Sequence, residues 1–185
     1  MTLVCGCAAS LSHVRPPAKP CDAVPMPMLR PVTEPDFDDV LALNHTNVQA
    51  LAPMDRDRLL HLRELADRFD VVEVDGAFGG FVITFAAGTA YDSENYRWFT
   101  GRHTDGFYYL DRIVLDDSFR RRGLGTFVYD EVEDVARKYD RLCLEVNLLP
   151  RNDASLAFHG NRGFVEVGRL GDDDHLVSLM EKDLT

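Results

Sequence analysis

The chain has 185 residues, with 20 Lys plus Arg against 31 Asp plus Glu and a net charge of −11. That length buries a full core in one ordinary domain without crosslinks, and 45% hydrophobic with 28% charged residues is neither a disordered nor a fibrous composition. The negative charge argues against nucleic acid and anionic membranes as partners, and no run approaches the about 18 apolar residues of a spanning helix.

Residues 1–27 read as a disordered tail. Pro16, Pro17, Pro20, Pro25 and Pro27 break any regular element, and no Lys or Arg precedes Leu3–Leu11 as a secretory signal would need. Cys5 and Cys7 form Cys-Gly-Cys without a further cluster at metal-ligand spacing, so no metal is expected. A reduced, cytoplasmic chain is the default.

The domain is expected over residues 28–185. Leu29–Val32 reads as a strand. Thr33 with Asp36 three residues later is a capping box, with Pro35 tolerated in the first turn. Phe37, Val40, Leu41, Leu43 and Val48 give a helical pattern. Asp55–Phe69 reads as a second helix carrying Leu59, Leu62, Leu65 and Ala66 at helical spacing. Val71, Val72 and Val74 form a strand, Asp75-Gly76 a hairpin turn and Phe78–Phe85 the returning strand. Residues 86–106 read as a long connection, the length of a functional loop. Phe107–Leu115 is a strongly apolar strand, and Gly123–Tyr139 an amphipathic helix. Leu142–Asn147 is a strand, Asp153–Arg162 a short helix, and Phe164–Leu170 and Leu176–Leu184 are two closing strands.

The most informative segment is Asp116–Gly125, between the apolar strand and its helix. A helix start offers unpaired N–H groups and the positive end of the dipole, which favour phosphate. Gly123 and Gly125 permit close approach, and Arg120, Arg121 and Arg122 concentrate positive charge in an acidic chain. A Walker loop is absent, and Val128 fails the dinucleotide fingerprint. A basic solvated turn, or an interaction surface for an acidic partner, would carry the same arginines.

Two blocks carry a resemblance. The first is Leu110-Asp111-Arg112-Ile113-Val114-Leu115 followed by Arg120-Arg121-Arg122-Gly123-Leu124-Gly125. The second is Leu144-Glu145-Val146-Asn147 followed by Asn152, Ser155, Phe158 and Gly163-Phe164. Together they resemble the GNAT superfamily of acyl-CoA-dependent N-acetyltransferases. The resemblance implies an α+β fold, with a central mixed, mostly antiparallel twisted sheet of about seven strands flanked by about four helices. It also implies acetyl-CoA as co-substrate, a small-molecule or peptide amine as acceptor, and transfer in a ternary complex. A noncatalytic acyl-CoA-binding module is the alternative. The backbone of Ile113, Val114 and Leu115 would hold the pantetheine and polarise the thioester. Residues Arg120, Arg121, Arg122, Gly123, Leu124, Gly125 and Thr126 would take the pyrophosphate, and Asn152 and Ser155 would contact the cofactor or cap their helix.

Amine attack needs a base. By period two, Tyr109, Asp111, Ile113 and Leu115 share a strand face. Asp111 in an apolar strand is either that base or the partner of Arg112. Glu145, on a face with Cys143 and Asn147, is the second candidate, and a water chain would also serve. The leaving thiolate is served in this family by a tyrosine at the position held here by His159, which is either the replacement acid or a surface histidine. Cys143 has no neighbouring histidine in sequence and reads as inert packing. For the acceptor, Asn44, Tyr91, Trp98 and Tyr109 are the candidates. Their aromatic neighbourhood fits an amine pocket, a satellite core or a homodimer contact equally.

Overall fold

The computed structural model describes residues 26–48, 51–119 and 122–185. Nearly all of the expected tail, and the Cys-Gly-Cys motif with it, lies outside those residues. Pro27 does not: it opens strand β1 (Pro27–Pro31) at the edge of the sheet, where a proline's missing N–H leaves no central ladder bond unmade.

A 3-10 turn and helix α1 (Phe37–Thr46) follow, and the capping box forms: Thr33 N and Oγ1 both donate to Asp36 Oδ2, at 2.8 and 2.7 Å. Arg30 adds a two-pronged bond to the same carboxylate, 2.8 Å on each oxygen, and holds it well below the usual carboxylate range. Helix α2 (Arg56–Leu65) starts at Asp55, whose side chain accepts from Arg58 N at 2.8 Å. It stops four residues short of the expected end. Ala66 turns extended, and Phe69 belongs to β2 (Arg68–Val74) rather than to the helix. Asp75 and Gly76, both at positive φ (52° and 82°), turn β2 into β3 (Ala77–Ala86).

The long connection contains a fifth helix, α3 (Glu94–His103), capped by Ser93. Its Tyr96 and Phe99 are buried with Phe85, Tyr91, Phe107 and Tyr109. The rest follows the expected order: β4 (Tyr108–Leu115), α4 (Leu124–Ala136), β5 (Arg141–Leu149), α5 (Asp153–Asn161), β6 (Val165–Gly171) and β7 (Leu176–Asp183). The seven strands form one sheet in the order β1-β2-β3-β4-β5-β7-β6, antiparallel except for β4 against β5. One core lies on the side of α1, α2 and α3, and another under α4.

A bulge in β4 corrects the period-two face. Ile83 pairs with Arg112 but Thr84 with Leu110, so Asp111 is an extra residue and the alternation slips by one. Tyr109 and Val114 belong to the α1–α3 core. Leu110, Ile113 and Leu115 pack with the core under α4. Asp111 and Arg112 both find partners on the α1–α3 side, in Tyr91 and Asn44.

Gly80 is fixed by this part of the sheet. Its φ is +147°, and a Cβ there would lie 2.2 Å from the Val114 carbonyl oxygen. Gly80→Ala is expected to cost about 2 kcal/mol or more, a fall in Tm of roughly 4–8 °C, read by thermal denaturation.

Candidate active site

β4 and β5 pair at two positions, Tyr108 with Leu142 and Tyr109 with Cys143. Beyond them the strands part. A cavity of about 580 Å³ opens between Leu110–Ile113 on one wall and Leu144–Asn147 on the other.

Two carboxylates face this cavity. Asp111 accepts from Tyr91 Oη at 2.7 Å and from Arg112 Nε at 3.2 Å. Its side chain is 7% exposed, and burial raises its pKa even though the Arg112 charge pulls it down. Glu145 accepts from the Tyr109 hydroxyl and bonds the Asn95 side chain. Burial first, and the Asp111 charge second, push its carboxyl up to about 8. Arg112 is itself held by Asn44 Oδ1 at 2.7 Å and the Ala52 carbonyl at 2.8 Å. Asp111 thus lines the cavity and pairs with Arg112 at once.

The acceptor candidates divide. Tyr91 lines the cavity, Tyr109 stands behind Glu145, and Asn44 acts through Arg112 while lining a smaller adjoining hollow. Trp98 is a correction. It does not line the cavity, because its ring lies over β6, where a Cβ on Gly168 would come within 2.6 Å of it. Tyr91, Tyr96 and Phe99 of the aromatic segment belong to the α1–α3 core, with Trp98 packed against it. Asp92, an acidic neighbour of the aromatic residues in sequence, lines the cavity as well; sequence reasoning missed Asn95, Arg58 and Tyr129, which also line it.

His159 is buried rather than a surface residue. Its Nδ1 is 2.7 Å from the Ser155 carbonyl, so Nδ1 carries the proton and Nε2 accepts from the Tyr129 hydroxyl. Burial lowers its pKa and keeps it neutral. The phenol hydroxyl at this end of the cavity therefore comes from α4, not α5. Tyr129 lies four residues after Gly125, about 6 Å along the same helix face. That spacing was the available signal. Asn152 caps α5, its Oδ1 accepting from Ser155 N at 3.1 Å, and both residues line the cavity.

α4 begins at Gly123 (φ 78°), with no side-chain cap among the described residues, so its first amides are open to an anion. A Cβ on Gly123 would meet nothing within 4 Å, and one on Gly125 would be in ordinary contact with Phe158 at 3.8 Å and Leu115 at 3.9 Å. Arg122 lies over the Phe119 ring at 5.3 Å. Arg120 and Arg121 lie outside the described residues.

The Acetyltransferase (GNAT) family model matches residues 35–164. The fold is similar to Ard1 from Thermoplasma volcanium, with TM-score 0.67, 20% identity, and 86% of this chain and 98% of that one covered. It is similar to the ribosomal-protein-S18-alanine N-acetyltransferase of Escherichia coli, with TM-score 0.60, 19% identity, and 86% and 95% covered. It is also similar to yncA of Salmonella typhimurium, solved with its cofactor acetyl-CoA, with TM-score 0.63, 16% identity, and 86% and 95% covered. A search of curated proteins by sequence finds no significant match. The chain belongs to the GNAT acetyltransferase family and is an acetyl-CoA-dependent acyltransferase.

The raised Glu145 carboxyl makes stability depend on pH. Between about 4.5 and about 8 the folded chain keeps a proton that the unfolded chain has lost, so stability falls as pH rises through that window. Glu145→Gln removes the effect. Its stability relative to the parent should climb across the window by at most about 1.4 kcal/mol per pH unit and level off above it, as measured by urea denaturation at a series of pH values.

Proposed function

We propose that the chain moves the acetyl group of acetyl-CoA to a primary amine by direct attack in a ternary complex. One observation carries this reading: the gap between β4 and β5 has a buried carboxylate on each wall, Asp111 and Glu145, is lined by Tyr129 as well, and α4's open amides lie one helical turn from Tyr129.

Acetyl-CoA supplies a thioester whose carbonyl carbon takes the amine. The parted edges of β4 and β5 have main-chain groups to hold an extended arm, and the Gly123–Thr126 amides have the charge preference for its diphosphate. In its ionised form the Asp111–Glu145 pair attracts the acceptor's ammonium form. A carboxyl with a pKa near 8 is matched to removing one of its protons near neutral pH. As the C–N bond forms and the C–S bond breaks, that proton rests on the carboxylate, and the second proton the nitrogen sheds on becoming an amide passes to the departing thiolate, which leaves as the free thiol. Burial keeps Tyr129 protonated, so its hydroxyl serves the departing sulfur as a hydrogen-bond donor once it turns from His159. His159 is then a positioning residue. The carboxylates and Tyr129 weigh against a noncatalytic acyl-CoA module. A net charge of −11 favours a cationic acceptor, and the free thiol of Cys143 suits a cytoplasmic setting.

The test is thiol release from acetyl-CoA with a panel of primary amines, with product amides identified by mass spectrometry. No turnover with any amine would overturn the proposal. Gly125→Glu should abolish acetyl-CoA binding in a thermal-shift titration, because bulk and negative charge then occupy the anion's place. Tyr129→Phe should lower kcat by about 10²-fold while leaving the acetyl-CoA Kd unchanged. An unaltered kcat would remove the hydroxyl from the reaction.

A further inference from the structure

Away from the acetyl cavity, the C-terminal end of α3 meets the sheet through three side chains that can ligate a metal. His103 is the last residue of α3, Cys143 lies on β5 and Glu181 on β7. Cys143 and Glu181 are direct cross-strand partners, so the ladder fixes their side chains on one face. His103 Nε2 sits 2.7 Å from Glu181 Oε2. The imidazole nitrogen, thiol sulfur and carboxylate oxygen all lie within 4.8 Å of one another. None of the three lines the acetyl cavity.

We propose that His103, Cys143 and Glu181 form a site for a zinc-class divalent cation that ties α3 to β5 and β7. The donor set selects the ion. One sulfur, one imidazole nitrogen and one carboxylate oxygen suit zinc in a four-coordinate site, with water in the fourth place. Magnesium and calcium require more oxygen donors than are present. Cys143 is fully buried, whereas the His103 and Glu181 side chains are 10% and 16% exposed, so the ion has an approach from their side. On binding, the sulfur–metal bond replaces S–H and the thiol proton passes to solvent. Arg102 Nε lies 3.4 Å from the same Glu181 oxygen. That cation competes with the metal and must yield part of its hold. The plain competitor is a His103–Glu181 ion pair that anchors the helix without a metal.

The test uses the full chain with Cys5, Cys7 and Cys21 replaced by serine, so that Cys143 is the one thiol left, stripped by a chelator and titrated with cobalt(II). A sulfur-to-cobalt charge-transfer band saturating at a single equivalent, displaced by zinc(II), is the expected result. Zinc(II) should also raise the Tm. Cys143→Ala should lose the band. His103→Gln, at a partly exposed position that leaves the core intact, should weaken cobalt affinity by about tenfold or more. A titration without the band overturns the site and leaves the ion pair alone, as does a band that survives Cys143→Ala. Should Cys143→Ala fail to fold, an unchanged affinity in His103→Gln overturns it by itself.

Discussion

The site depends on two strands that stay together for two residue pairs and then separate. Tyr108 and Tyr109 hold β4 against Leu142 and Cys143, and the bulge at Asp111 bends β4 where the gap begins. Bulges re-aim side chains and end pairing, and this one does both. It puts Asp111 and Arg112 on the same side as Asn44 and Tyr91, and it leaves main-chain groups of Ile113 and its neighbours without a strand partner on the β5 side.

Keeping two acids in that position is costly, since buried charge is stabilised only by partners. The chain meets the cost with hydrogen bonds. Tyr91 and Arg112 serve Asp111, Tyr109 and Asn95 serve Glu145, and Asn44 with the Ala52 carbonyl steadies Arg112. The aromatic core behind them, with Phe85 stacked on Tyr91 at 4.0 Å and Tyr96 edge-on to Tyr109 at 5.5 Å, keeps water out and the hydroxyls aimed. The Tyr91–Tyr109 surroundings are thus core and site at once.

Local chemistry made much of this legible. Asp75-Gly76 specified its hairpin, Thr33 and Asp36 their cap, and the α4 stripe with its glycine start its place after β4. What stayed hidden was tertiary. α3 holds Trp98, Phe99 and Gly101, weak helix formers, and the burial of Tyr96, Phe99 and part of Trp98 outweighs propensity. An extra residue in a strand leaves no compositional mark, so the faces of Asp111 and Ile113 were assigned by an alternation that the bulge breaks. Tyr129 was one apolar-looking helix residue until α5 brought His159 against it. His103, Cys143 and Glu181 are remote in sequence and meet only through the strand register.

The short parallel joint also bears on how the chain is built. β1 to β4 are sequence-ordered antiparallel neighbours that end at Leu115, and β5, β7 and β6 form a second antiparallel group drawn wholly from Arg141 onward. Nothing in the first group waits for a strand from the second. A ribosome releasing this chain would deliver the four antiparallel strands with α1 and α2 before the remainder emerges, while α3, whose Trp98 lies over β6 and whose His103 bonds Glu181 on β7, completes its packing with the second group. Assembly of the two groups is then a docking event, and the working cleft comes into being at that last step.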